Sequence, residues 1–165
     1  MLLEAGADVR ETRTFGCTAL HASVRADDRS DWFRDAEGAR RLRSAFKCAA
    51  ALIAAGADVN AANSLGTTPL AVVARALPSH LSTRLYAVLL RGGATLDRDY
   101  LYQKAFLNWP ACWTPYLERV YDAGGWKRYA HAHRTRLVAT FAPKLRLPAD
   151  VIPLVVDFWA NVGMY

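Results

Sequence analysis

The feature that most constrains this chain is a glycine-bounded bend between two helices. In residues 52–77, LIAAGADVNAANSLGTTPLAVVARAL, Leu52 and Ile53 close an apolar helical face. Gly56 then stands where a helix end needs a left-handed cap, a conformation glycine adopts because it has no Cβ. Polar residues come next, and Gly66 permits a second sharp turn. Thr68 can cap the next helix with its hydroxyl, and Pro69 falls at the first helical position, where a missing N–H costs nothing. A fresh helix therefore opens at Leu70.

The same order occurs upstream. Residues 3–9 parallel 53–59, and Gly16-Cys17-Thr18-Ala19-Leu20-His21 parallels Gly66 to Ala71, each at a separation of 50. Downstream, Leu89-Leu90-Arg91-Gly92-Gly93-Ala94-Thr95-Leu96 is a weaker third copy, and residues 117–124 are a fainter fourth. The glycines at 56, 93 and 124 give intervals of 37 and 31 residues.

In kind and order these elements resemble the ankyrin repeats, whose units recur at about 33 residues. Gly56-Ala57-Asp58-Val59-Asn60, Gly66 and Thr68-Pro69-Leu70 look like that family's helix end, β-turn finger and TPLH helix start. The histidine of that start is present at His21. Ala71 departs from it, so the hydrogen bonds such a ring makes across the helix start are expected to be missing there.

The resemblance implies an all-α fold: an ankyrin-type α-solenoid of helix-turn-helix layers with β-turn fingers, closed by C-terminal helices. Residues 1–125 would form the repeats, the first partial and the third and fourth degenerate, with 126–165 as a helical cap. It also implies a protein-protein interaction module that meets its partner through finger tips and first-helix surfaces. Here those positions include Arg10, Glu11, Arg13, Asn60, Asn63 and Leu65, with Arg98 and Asp99 at the tip of the following finger. Rigid presentation of adaptable side chains would limit the entropy lost on binding.

Taken in order, the chain opens inside a motif, with only the last turn of a helix before Gly6. That suggests a truncated chain or a parent with more repeats, and Leu2, Leu3 and Val9 are expected to lack a packing neighbour. Helices are expected from Thr18 to about Ala26 and from 39 to 55, the second with Leu42, Phe46, Ala49, Leu52 and Ile53 inward. Its basic residues, Arg40, Arg41, Arg43 and Lys47, read as a solvated face. Between these helices a polar insertion at 27–35 carries Trp32 and Phe33 and accounts for most of the excess in the first interval. The two rings either tuck this loop onto the solenoid flank or anchor a partner. Paired helices come next at 68–77 and 79–91, broken at Pro78, the second with Leu81, Leu85, Val88 and Leu89 inward. Beyond them lies an aromatic-rich region, with Tyr100, Tyr102, Phe106, Trp109, Trp113, Tyr116 and Tyr121 expected mostly in the core.

The last 40 residues differ. Residues 126–143 read as an amphipathic helix with Tyr129, Ala130, Leu137, Val138 and Phe141 on one side and Lys127, Arg128, His131, Arg134 and Arg136 at polar positions. A second helix, capped by Asp150 with Pro153 in its first turn, carries Val151, Val155, Phe158, Trp159 and Val162 on one face. Leu147-Pro148-x-Asp150-Val151-Ile152 resembles the opening of an F-box, and the basic helix followed by a Leu-Pro helix is distantly similar to the SOCS box. Those modules recruit ubiquitin-ligase scaffolds, which makes a ligase substrate adaptor the alternative to a plain binding module.

Other classes find little support. No G-x-S-x-G elbow, phosphate loop or H-E-x-x-H pattern occurs, so neither an enzyme nor a cofactor is expected. His131 and His133 point to opposite sides of a helix, and no metal spacing occurs among Cys17, Cys48 and Cys112. Three scattered cysteines suit a reducing compartment. No apolar run spans a bilayer and Met1 precedes no basic-then-apolar leader, so a monomeric, intracellular protein in cytoplasm or nucleus is expected, away from membranes. The net charge of +6 divides evenly about Asn108, +3 on each side, and this spread makes nucleic acid the less expected partner.

Overall fold

A computed structural model describes residues 8–25, 36–76, 79–105, 114–144, 147–148 and 150–161. Among them the regular elements are helical, and the only β-type pairing is an isolated antiparallel bridge between Thr12 and Thr18. The chain divides into two compact units, Met1–Pro115 and Tyr116–Tyr165. The sequence boundary at 125/126 thus falls ten residues beyond this division, and the fourth glycine-ended segment groups with the tail.

In the first unit, α1 (Ala19–Val24) packs on α2 (Ala36–Ala54), and α3 (Pro69–Ala76) packs on α4 (Ser79–Arg91). The pairs then lie side by side, α1 against α3 and α2 against α4, and α5 (Arg98–Ala105) continues the row against α3. Leu20, Val24, Ala49, Leu70, Val73, Leu85, Leu89 and Leu101 are almost fully buried and form the core of this unit. Tyr86 is buried as deeply, although the helical stripe of α4 placed Leu85, Val88 and Leu89 inward and left it aside. Leu2, Leu3, the insertion at 27–35, Pro78 and the rings of Phe106, Trp109 and Trp113 lie outside the described residues.

Two loops of the first unit repeat the same backbone turn pattern at the interval of 50. Asp8 Oδ1 accepts from Arg10 N at 2.8 Å, and Asp58 Oδ1 accepts from Asn60 N at 2.9 Å. Arg13 N donates to Cys17 O and Gly16 N to Arg13 O; Asn63 N donates to Thr67 O and Gly66 N to Asn63 O. The carboxylate closes a local turn on its own backbone, and the glycine takes the left-handed position that ends the loop, with φ of 68° at Gly16 and 65° at Gly66.

Helix ends also recur. After α2, Gly56 N donates to Ile53 O and Ala57 N to Leu52 O; after α4, Gly93 N donates to Leu90 O and Ala94 N to Leu89 O. These paired bonds are the Schellman arrangement, which satisfies carbonyls that the ending helix leaves open. The two chain paths diverge beyond these caps. After Gly93 no second bend intervenes: Asp97 Oδ1 accepts from Tyr100 N at 3.0 Å and starts α5 directly. Arg98 and Asp99 therefore lie in the first turn of a helix, and the expected third finger tip is not formed. Gly66 stands ten residues after Gly56, whereas the residue ten after Gly93 is Gln103, already within α5, because Asp97 starts that helix first.

The second unit contains α6 (Pro115–Asp122), α7 (Trp126–Phe141) and α8 (Val151–Asn161). The end of α6 repeats the same cap, with Gly124 N donating to Tyr121 O and Gly125 N to Val120 O. Here the second glycine is itself the N-cap of α7. Tyr116, Leu117 and Val120 are buried on α6. Tyr129 packs edge-on against Tyr116 at 5.7 Å between ring centres and stacks on His133 at 5.7 Å. On α8 the buried residues are Ile152 and Val156, while Val151 and Val155 are only half-buried and Leu154 is exposed. The buried pair is thus one position out of register with the expected face; Val162 and the side chains of Phe158 and Trp159 lie outside the described residues. All six residues from Val151 to Val156 are apolar, so periodicity could not select the inward pair, and packing against α7 makes the choice.

Candidate interaction surface

The two repeated loops of the first unit abut. Ser64 N donates to Phe15 O at 2.9 Å, and a Cβ added at Gly16 would meet Ser64 N and Oγ at 3.2 Å, so the glycine is needed for close approach as well as for its φ. A shallow recess lies between them, walled by Val9, Arg10 and Thr12 on one side and Gly56, Asp58 and Ala61 on the other.

The tips are apolar. Phe15 is 69% exposed and Leu65 66% exposed, each immediately before the glycine that closes its loop. Phe15 also has φ 61° and ψ 25°, a left-handed conformation that costs a residue with a Cβ about 1–2 kcal/mol. The loop thus holds a large ring in water on a strained backbone. Arg10, Glu11 and Arg13 are exposed on the same loop.

Some of the expected contact residues are already engaged. The Asn60 amide bridges to the turn after α4, its Nδ2 donating to Gly93 O at 3.1 Å and its Oδ1 accepting from Thr95 N at 2.9 Å. Asn63 is half-buried: its Oδ1 accepts from Leu65 N at 3.0 Å and Thr67 N at 2.9 Å, and its Nδ2 approaches Cys17 Sγ at 3.7 Å. Both side chains therefore hold loops in place, because their amides are occupied by backbone groups and, at Asn63 Nδ2, by the Cys17 sulfur. Asp99 is exposed and Arg98 half-buried, both on α5 and away from a finger tip. Trp32 and Phe33 lie outside the described residues. Of the ten positions, Arg10, Glu11, Arg13, Asn60 and Leu65 are exposed on the loops, with the Asn60 amide engaged by the turn after α4. Phe15 was missed, and the interval of 50 that maps it onto Leu65 was the signal that could have found it.

Beneath the tips the helix starts are tied together. Thr18 N and Oγ1 lie 3.2 and 2.9 Å from His21 Nδ1, and His21 N donates to Thr18 Oγ1 at 3.4 Å. His21 Nε2 donates to Thr67 O at 2.9 Å. A carbonyl can only accept, so the ring carries its proton on Nε2 and accepts at Nδ1. At the next start Thr68 Oγ1 accepts from Ala71 N at 3.4 Å, and Tyr100 supplies what Ala71 lacks: its hydroxyl donates to Gly66 O at 2.6 Å and accepts from Thr68 N at 2.9 Å.

In the second unit Tyr116 Oη is buried and has no hydrogen-bond partner among the described residues. Burial pushes the Tyr116 phenol up, with the Tyr129 phenol adding to the shift and the Arg119 guanidinium opposing it. His133 is held below its ordinary value by burial first, then by the Arg136 and Arg119 guanidinium groups. Among the described residues no three His, Cys, Asp or Glu side chains converge on a point that could hold a metal ion, and no helix is long and apolar enough to cross a membrane. Comparisons with protein-family models, with curated proteins and with solved structures return no match to this chain.

Proposed function

We propose that the first unit is a short stack of ankyrin-type repeats and that its finger tips bind a protein partner through Phe15 and Leu65. The observation that carries this reading is the pair of bulky apolar side chains, 69% and 66% exposed, at neighbouring tips joined by the Ser64 to Phe15 backbone hydrogen bond. Solvated loop tips have no physical need of a large ring, and a ring held there at positive φ contributes nothing to the core. Support for the repeat reading comes from the bond pattern recurring at an interval of 50, the three Schellman caps, and the packing of first helix on first helix and second on second. Arg10, Glu11 and Arg13 border the apolar pair as its polar rim.

The loops are tied to each other and to the helix starts, so a partner would meet a surface already ordered and little entropy would be lost on docking. Affinity capture with the full chain, followed by mass spectrometry, tests the reading. A partner retained by the native chain and lost from a Phe15→Ser, Leu65→Ser variant of unchanged thermal stability is the expected result. Equal retention by both chains would sink it.

A further inference from the structure

The turns that end α2 and α4 are built alike, yet only one of them is bridged by a side chain. After α4 the Asn60 amide donates to Gly93 O at 3.1 Å and accepts from Thr95 N at 2.9 Å. The paired caps map Gly93 onto Gly56, and so Thr95 onto Asp58. The interval of 50 maps Asn60 onto Arg10, whose backbone N donates to Asp8 Oδ1 as Asn60 N donates to Asp58 Oδ1. These corresponding residues meet in the recess between the two loops, with Arg10 on one wall and Gly56 and Asp58 on the other.

Arginine cannot do there what asparagine does. A guanidinium holds five donors and no acceptor, so Arg10 can offer nothing to the Asp58 N–H. Among the described residues no hydrogen bond reaches Gly56 O or Asp58 N. The recess thus presents one acceptor and one donor two residues apart, the same pair that a single planar amide bridges after α4. A trans peptide group points its N–H and C=O in opposite directions, and a carboxylate has no donor. A primary amide carries both functions on one edge. Val9 and Ala61 line the same recess and give the methylenes of an incoming side chain something apolar to rest on.

We propose that this recess binds the side-chain carboxamide of an Asn or Gln of the protein partner, its NH2 donating to Gly56 O and its carbonyl accepting from Asp58 N. The source of that side chain rests on the finger-tip reading, because the recess lies between the loops that carry Phe15 and Leu65. The amide chemistry does not: it comes from the turn after α4, where the chain fills the corresponding site with its own Asn60. Amide is favoured over carboxylate because Gly56 O requires a donor and the Asp58 side chain repels an anion.

Propionamide reproduces the end of an Asn or Gln side chain and is the probe. Titrated at millimolar concentrations into the isotope-labelled full chain and followed by heteronuclear NMR, it should shift the Asp58 backbone N–H saturably. The Thr95 N–H, already bonded to Asn60, should stay in place. Propionate and N,N-dimethylpropionamide, which lack a donor, should bind at least about fivefold more weakly, the effect of one lost hydrogen bond. Arg10→Asn should abolish the Asp58 response by supplying the amide from within the chain, whereas Arg10→Ala should keep it, which separates filling of the recess from damage to the loop. In Asn60→Ala the Thr95 N–H should become responsive in turn. The Phe15→Ser, Leu65→Ser variant should respond as the native chain does, so failure of the recess and failure of the tips are read separately. No saturable shift at Asp58, equal binding of the dimethyl amide, or an undiminished response in Arg10→Asn would each overturn the proposal.

Discussion

His21 and Thr67 are 46 residues apart in sequence and joined by a 2.9 Å hydrogen bond from the imidazole Nε2 to the backbone carbonyl. The same ring accepts the Thr18 backbone N–H on its other nitrogen, so one buried side chain closes its own helix start and pins the start of the next. His21→Ala should therefore destabilise the first unit by about 2–3 kcal/mol, since it strands a buried N–H and a buried carbonyl together. Urea denaturation measures this, and a loss below about 0.5 kcal/mol would show that the ring does not couple the two helix starts.

Tyr100 makes the corresponding link from the other direction, reaching back to Gly66 O and Thr68 N. Tyr100→Phe keeps the ring and removes the hydroxyl that makes those two bonds. A loss of about 1–2 kcal/mol is expected in the same denaturation experiment. Ala71 has no polar side chain of its own, which leaves these two backbone groups to the tyrosine. A variant as stable as the native chain would show that water replaces the hydroxyl there without cost.

Phe15 should separate stability from binding. Phe15→Gly removes the cost of a Cβ at φ 61° and gives up little packing, since the ring is largely in solvent. Stability should stay level or rise by up to about 1 kcal/mol, while partner retention on an affinity column falls away. A drop in thermal midpoint would instead place the ring in the fold.

Asn60 predicts the opposite pattern. Asn60→Ala deletes the bonds to Gly93 O and Thr95 N and should cost about 1–2 kcal/mol. Once the variant is held well below its unfolding midpoint, partner retention should match that of the native chain. Selective loss of binding with unchanged stability would return Asn60 to the contact surface.

His133 gives the second unit a pH dependence of known sign. Its folded-state value lies below the ordinary 6.5, so the neutral ring is the form the fold prefers. The stabilisation is fully present above the ordinary value of 6.5 and declines as pH falls through it toward the lower folded one. Thermal midpoints measured from about pH 8 down to about pH 5 should decrease, and His133→Gln should flatten the acidic part of the curve. An unchanged curve in that variant would assign the dependence elsewhere.

Local chemistry was legible in the residues themselves. Gly56, Gly93 and Gly124 end helices because each needs a left-handed backbone, with φ of 89°, 97° and 76°. Thr68 with Pro69 starts a helix because a side-chain oxygen and an open backbone N–H lie within three residues of each other, whereas the same chemistry at Asp97 and Tyr100 reads in the sequence as a finger tip and proves to be a helix start. The span of α4 was read to the residue at 79–91, and α2 began three residues before the expected Ala39. Exposure of Arg10, Arg13 and Leu65 agreed with their place in a turn.

Relations between distant residues were not legible. Asn60 and Asn63 look like free polar tips until the turn after α4 and the loop backbone occupy their amides. Tyr100 takes over part of the role of a missing histidine only because α5 packs beside α3. An apolar run without period, as at the start of α8, leaves the choice of Ile152 and Val156 to the neighbouring helix. The sequence by itself determined where helices stop, turn and restart, since caps and turns are set by groups a few residues apart. The tertiary structure decided which polar groups are satisfied and which side chains stay in water, because those outcomes depend on partners that chain order does not bring together.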